Sequence, residues 1–445
     1  MRAARWSVPL LASVLVVVEA DPAYAHGTGG RSDLPLPLWL FTYGAAAVLL
    51  VSFAALRTFW HRPHLRAAAA GRPVSALGVL AGVLRTVGLA LWLLTALAVW
   101  IGASIAPTAI YILFWLGVPI LSVFLGDVWR ALNPLDTLAG LGERLGLVAE
   151  RRDPTEAPVW IAGTMVFAFV WLKLAYHDPV STDALRVWFT LHTVVALGGS
   201  ALYGRDWLRD NEGFAVLYGL LGRLGPLFAR EGRLRARWPL TGLTGLTDAL
   251  PAAAPAVILV TLGSATFDGF TRTDYWLDIV GNRTGWSQTL IGTLGLVWLI
   301  GLIGVVWVLA NHGVARITGR DRSEMIEAFM PSLVPIMLVY VVAHYFSSLL
   351  LRGQIFLTRL SDPFGRGWDL FGTVDNTVDH TVLSTDTIAY LQAGAILIGH
   401  IWAVLVTHDR ALELFEREEV ERSQYPILAV MVILVVGGMA ILLGS

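Results

Sequence analysis

The sequence predicts an all-α polytopic membrane helix bundle, with about ten transmembrane helices after a cleaved signal peptide. Three observations carry that expectation. The 445 residues are 56% hydrophobic and only 15% charged, with mean hydropathy +0.65, outside the range of soluble domains. Charge-poor apolar runs of roughly 17 to 31 residues recur along the whole chain. Arginines cluster in alternate connections between those runs, the pattern that short cytoplasmic loops carry.

Residues 1–25 have a basic start (Arg2, Arg5), an apolar run and Ala23-Tyr24-Ala25 as a cleavage site. Removal after Ala25 makes His26 the new N-terminus. Residues 26–445 then form a single membrane domain whose apolar runs are Leu36 to Leu56, Ser75 to Ile105, Thr108 to Val128, Val159 to Tyr176 and Leu185 to Tyr203. They continue with Pro251 to Phe267, Leu290 to Ala310, Phe329 to Leu351, Ile388 to Val406 and Ile427 to Leu443.

With the mature N-terminus outside, the inner loops hold 21 arginines and the outer segments six. A bacterial plasma membrane is the matching location. Two basic inner loops, Leu132 to Leu147 and Trp207 to Arg237, read as amphipathic segments along the inner headgroups. The outer segment 352–387, with five aspartates, is long for a structureless connection and is a candidate lid. The partners are the lipid bilayer and a small apolar substrate. Nothing in the charge pattern supports nucleic-acid binding.

Cysteine is absent, so thiolate chemistry and sulfur-rich metal sites are excluded. By this topology the outer side holds eleven Asp and no Glu, and twelve of thirteen Glu are inside. His192 and His344 each lie seven residues from the outer end of their runs, about 10 Å deep at 1.5 Å per residue. His400 lies deeper, in a charge-free run, where an ionisable group needs a partner. Thr261, Ser264 and Asp268 share one helix face that ends at the outer mouth.

Imidazoles and aspartates are the usual ligands of hydrolytic zinc, manganese or cobalt when cysteine is lacking, and a bound metal acidifies its water into a nucleophile. His192, His344 and His400 are therefore candidate metal ligands. Asp268 is the candidate catalytic carboxylate that binds metal or orients water, and Asp386 is a reserve one. His26 joins through its free amine if the metal is copper. The bland alternative for each histidine is a hydrogen bond to a neighbouring helix. Lys173, the only lysine, reads as a snorkelling side chain, and His408 reads as a solvated boundary residue. Asp183 and Arg186 read as a local ion pair.

The segments AHGTGGRSDLPLPLWLF, GSATFDGF, AHYFSSLLLRGQ and THDRALELF together resemble a bacterial integral-membrane family known as fenitrothion hydrolase. The resemblance covers His26 to about Phe415 in scattered patches. It implies phosphotriester hydrolysis and assigns no catalytic residue, although the patches contain His26, Asp268, His344 and His408. The resulting expectation is a metal-dependent membrane hydrolase of apolar phosphotriesters or related esters. The opposing one is a transporter or ion permease using the same His/Asp cluster. Transport predicts polar groups continuing toward the inner side, whereas catalysis can end in a blind pocket.

Overall fold

The computed structural model describes residues 36–443, apart from 69–70, 77, 147–151, 154–155, 231–232 and 245–249. The expected signal peptide and His26 lie outside the described residues. The helices are α1 Leu38–Phe59, α2 Gly78–Ile101, α3 Ile105–Leu125, α4 Val128–Leu132, α5 Pro134–Arg144, α6 Trp160–Leu174, α7 Thr182–Tyr203, α8 Asp206–Asn211 and α9 Gly213–Gly222. They continue with α10 Ala254–Phe270, α11 Asp274–Val280, α12 Gly285–Thr318, α13 Arg322–Phe329, α14 Leu333–Ser361, α15 Thr385–Leu414 and α16 Val420–Leu443. The chain is a multi-pass membrane protein. Among the described residues, eight helical segments are long and apolar enough to cross a membrane, or nine if α10 and α11, bent by 88°, count as one.

Each of the ten apolar runs contains a helix, although Ser75 and Ala76 belong to a strand, and two runs depart from a simple span. α6 has 15 residues, about 22 Å at 1.5 Å per residue, short of a hydrocarbon core of about 30 Å. It tolerates that length because Ala162, Val166, Phe169 and Val170 are packed inside protein rather than against lipid. α10 ends at the bend where Thr273 accepts the Trp276 N–H and starts α11 in a new direction. The buried share of the most apolar window rises from 17% in α2 to 72% in Arg322–Ser361, which makes α14 the central helix and α2 a lipid-facing one.

The first part of the expected headgroup segment, residues 207–222, is packed inside the bundle instead. Gly204, at φ 92°, reverses the chain after α7, and α8 and α9 fold back into the bundle. Trp207 seats against Gly199 of α7, and Phe214, Val216, Leu217, Tyr218, Leu220 and Leu221 are buried. The run GFAVLYGLLG is apolar on every face, as a helix enclosed by protein must be. Asp127 and Asn133 cap α4 and α5 in the same way, accepting the Arg130 N–H at 3.0 Å and the Leu135 N–H at 2.9 Å. At this arginine-rich end a small antiparallel sheet, β1 Arg72–Ala76, β2 Leu227–Arg230 and β3 Arg233–Ala236, runs in the order β1-β3-β2.

Gly88 of α2 meets the backbone of Leu132 so closely that an added Cβ overlaps the Leu132 carbonyl. Gly88→Ala is therefore expected to destabilise by about 1–3 kcal/mol, the usual cost of overpacking, rather than to gain helix propensity. Denaturant unfolding of the purified protein checks this; a neutral or stabilised variant would disprove the close approach.

α14 continues to Ser361, so the irregular stretch at the aspartate-rich end is 362–384. Backbone N–H groups of Arg366 and then Gly367 hold the Asp362 carboxyl below its usual range, and Ser361 Oγ accepts from Phe371 N and Thr373 N. The segment is pinned by its own polar groups.

Candidate functional site

Four elements bring ionisable groups together near the aspartate-rich end. α6 places Lys173 in its last turn, α10 places Asp268 in its own, the bend beyond α10 carries Arg272, and central α14 supplies His344 and Tyr345. Lys173 Nζ lies 3.2 Å from Asp268 Oδ2 and donates to Tyr345 Oη at 2.7 Å. Tyr345 Oη in turn donates to the same Asp268 oxygen. On the other carboxylate oxygen, His344 Nε2 stands at 3.3 Å and Arg272 Nη2 at 3.9 Å. The His344 approach is within ion-pair range but off the hydrogen-bond line, so its Nε2 has no directed partner. Gly269 permits this convergence, since a Cβ there would strike Ile441 of α16 and reach His344.

Burial grades outward. The His344 side chain is 6% exposed, Asp268 10%, Lys173 16% and Arg272 49%, so the cluster opens toward the aspartate-rich end. Lys173 does not snorkel as a lone cation; it is the counter-charge of Asp268. α6 is held in position by Trp171 Nε1, which donates to Thr293 Oγ1 at 2.8 Å, and by the His177 N–H on Thr289 Oγ1 at 3.1 Å.

Of the expected ligands, only His344 and Asp268 meet. His192 stacks on Trp188, with ring centroids 5.4 Å apart, and turns Nε2 to Glu212 Oε1 at 3.5 Å. His192 therefore faces a carboxylate of the α8–α9 turn rather than His344 or Asp268. His400 donates Nδ1–H to Ile396 O at 2.8 Å, packs 5.9 Å from the Tyr340 ring and leaves Nε2 unpartnered. Asp386 is exposed in the first turn of α15. The sequence put His192 and His344 at equal depth, but depth does not set the direction a helix face points. Among the described residues no group of three or more His, Asp or Glu is arranged to hold a metal ion. The Asp183–Arg186 pair forms as expected, at 2.9 Å.

Glu212 is the residue that sequence reasoning missed. It lies at the turn between α8 and α9, fully buried, and caps α9 by accepting the Phe214 N–H at 2.9 Å and the Ala215 N–H at 2.7 Å. The available signal was the ten-residue apolar run that follows it, hidden within an arginine-rich loop. Beside this hairpin, at the arginine-rich end, a cavity of about 610 Å³ is lined by Arg85, Arg130, Asn133, Asp136, Arg152, Arg205, Leu208 and Ala215 among others. A much smaller pocket, of about 10 Å³, lies between Leu116 and Pro119 of α3 and Val341, Tyr345 and Leu349 of α14.

Comparison with known protein families, curated proteins and solved structures finds no match.

Proposed function

We propose that this protein is a multi-pass membrane transporter whose ion-binding centre is the Asp268 cluster. The observation that carries the reading is the Lys173–Asp268 pair, bridged by Tyr345 and flanked by His344, inside a membrane bundle. Charges in such a place are costly to keep, face a bundle interior or a wet path, and mark ion or proton routes. A proton or small cation needs only a rearrangement of Asp268 and Lys173. Toward the arginine-rich end the bundle holds a further ionisable pair, His192 and Glu212. We place that end in the cytoplasm of a bacterial cell, following the arginine distribution.

The test is flux. Purified protein in liposomes should carry a proton or monovalent-cation current that Asp268→Asn abolishes, since the amide cannot alternate between charged and neutral forms. Equal flux in wild type and Asp268→Asn would defeat the proposal. Metal-dependent turnover of a phosphotriester, lost in His344→Ala, would favour the hydrolase instead.

A further inference from the structure

Between the arginine-rich end and the Asp268 cluster lies a second pair of buried ionisable groups. His192 is near the middle of α7, ten residues from Thr182 and eleven from Tyr203, about 15 Å from either end at 1.5 Å per residue. Glu212 meets it there because α8 and α9 re-enter the bundle to that level. Such a pair is expensive in a low-dielectric interior, and nothing in the hairpin's packing requires it, since Ser, Thr, Asp or Asn caps a helix as well as Glu does.

The pair has access on one side only. Ala215, whose N–H bonds the Glu212 carboxylate at 2.7 Å, lines the 610 Å³ cavity at the arginine-rich end, so water there stands one residue from Glu212. On the other side stand aromatic rings: Phe214 and Phe169 have centroids 5.3 Å apart, and Phe169 and Trp115 4.9 Å. Phe169 is four residues before Lys173 on α6, so one helix carries both this septum and the cation of the Asp268 cluster.

We propose that Glu212 and His192 form a second proton-binding site, filled from the cavity at the arginine-rich end and separated from the Asp268 centre by the Phe214–Phe169–Trp115 septum. A hydronium ion in the cavity gives one proton to the Glu212 carboxylate and is left as water, and the carboxyl O–H so formed donates a hydrogen bond to His192 Nε2 as the 3.5 Å gap closes. The imidazole is free to take it because its Nδ1 has no hydrogen-bond partner and its ring is held only by stacking on Trp188. Other titratable groups on the packed elements are Lys173 of α6, Tyr111 of α3, Arg130 of α4 and Asp206, Arg209 and Asp210 of α8. Tyr218 of α9 donates to Phe114 O at 2.8 Å, and Asp127 lies at the opposite end of α9, against Gly219 and Gly222. α10 and α14, also packed on α9, carry Asp268, His344 and Tyr345 as their ionisable groups of the outer cluster.

The site stands independently of what the Asp268 centre carries, and its test does not use flux. The full-length protein in nanodiscs should show, in pH-difference infrared spectra, a protonated-carboxyl C=O band that disappears in Glu212→Gln and titrates at a different pH in His192→Gln. Because the chain contains no cysteine, a single Ala215→Cys variant reports access directly. It should react with a membrane-impermeant thiol reagent added at the arginine-rich face and not at the other. Retention of every titrating carboxyl band in Glu212→Gln overturns the proposal. So does an Ala215→Cys thiol that is inert from the arginine-rich face, and this second measurement decides the matter if Glu212→Gln does not fold. Loss of ion flux in Asp268→Asn without these signatures would leave the transporter reading standing and remove only the second site.

Discussion

Asp268→Leu is expected to destabilise the bundle by about 3–5 kcal/mol, the cost of leaving a buried ion without its partner. The sign follows from what remains. Lys173 keeps one neutral partner, the Tyr345 hydroxyl, while Arg272, itself a cation, stands on the same carboxylate and is left nearby. Adding Lys173→Met should recover most of the loss, because a buried pair replaced by apolar groups of similar size is often neutral or better. The double-mutant cycle therefore separates two ideas. If the pair exists for stability, the apolar double variant is much weaker than wild type. If it exists for function, the double variant is as stable as wild type and carries no ion. Denaturant titration of the two single variants and the double variant in one detergent is the measurement. Additive single losses would show that Lys173 and Asp268 do not interact, and the centre would lose its basis.

Much of the fold was legible because lipid imposes one rule on every span: apolar runs become helices whose backbone groups satisfy one another. Composition therefore located all ten runs. It failed at 207–222 for a physical reason. Arginines at 205 and 223 flank the re-entrant hairpin and Arg209 lies within it, so the whole stretch reads as a solvated loop, although the apolar residues Phe214, Val216, Leu217, Leu220 and Leu221 are as buried as those of α14. The site was legible only in part. His344 and Asp268 were identified singly from polar stripes on their own helices, and those stripes point at each other. Lys173 was assigned the wrong role because a snorkelling lysine and a paired one have the same local sequence; the difference lies in α10, 95 residues away. His192 was correctly marked as buried and polar, but its partner Glu212 belongs to the segment that had been read as surface.

Asp409→Ala is expected to cost about 1–3 kcal/mol, because it orphans the buried Leu65 N–H and removes the acceptor of the part-buried Trp60 Nε1–H and His64 N–H, which water can still reach. Asp409 is fully buried on α15 and accepts from Trp60 Nε1 at 2.9 Å, His64 N at 2.7 Å and Leu65 N at 3.3 Å. Its neighbour His408, read from sequence as a solvated boundary residue, is also buried. Its Nε2 faces Trp60 O and its Nδ1 faces Gln424 Oε1, both at 3.0 Å. Two adjacent residues of α15 thus lock the chain leaving α1 and the first turn of α16. Asp409→Asn should recover only part of the loss, since one carboxylate oxygen becomes an NH₂ that donates toward donors. Asp386→Asn, at the other end of the same helix and exposed, should change stability by no more than about 0.5 kcal/mol. Denaturant unfolding of the three variants, with protease cleavage between Trp60 and Leu65 as a local probe, checks the ranking. An Asp409→Ala variant with the stability and protease resistance of Asp386→Asn would show that this lock contributes nothing.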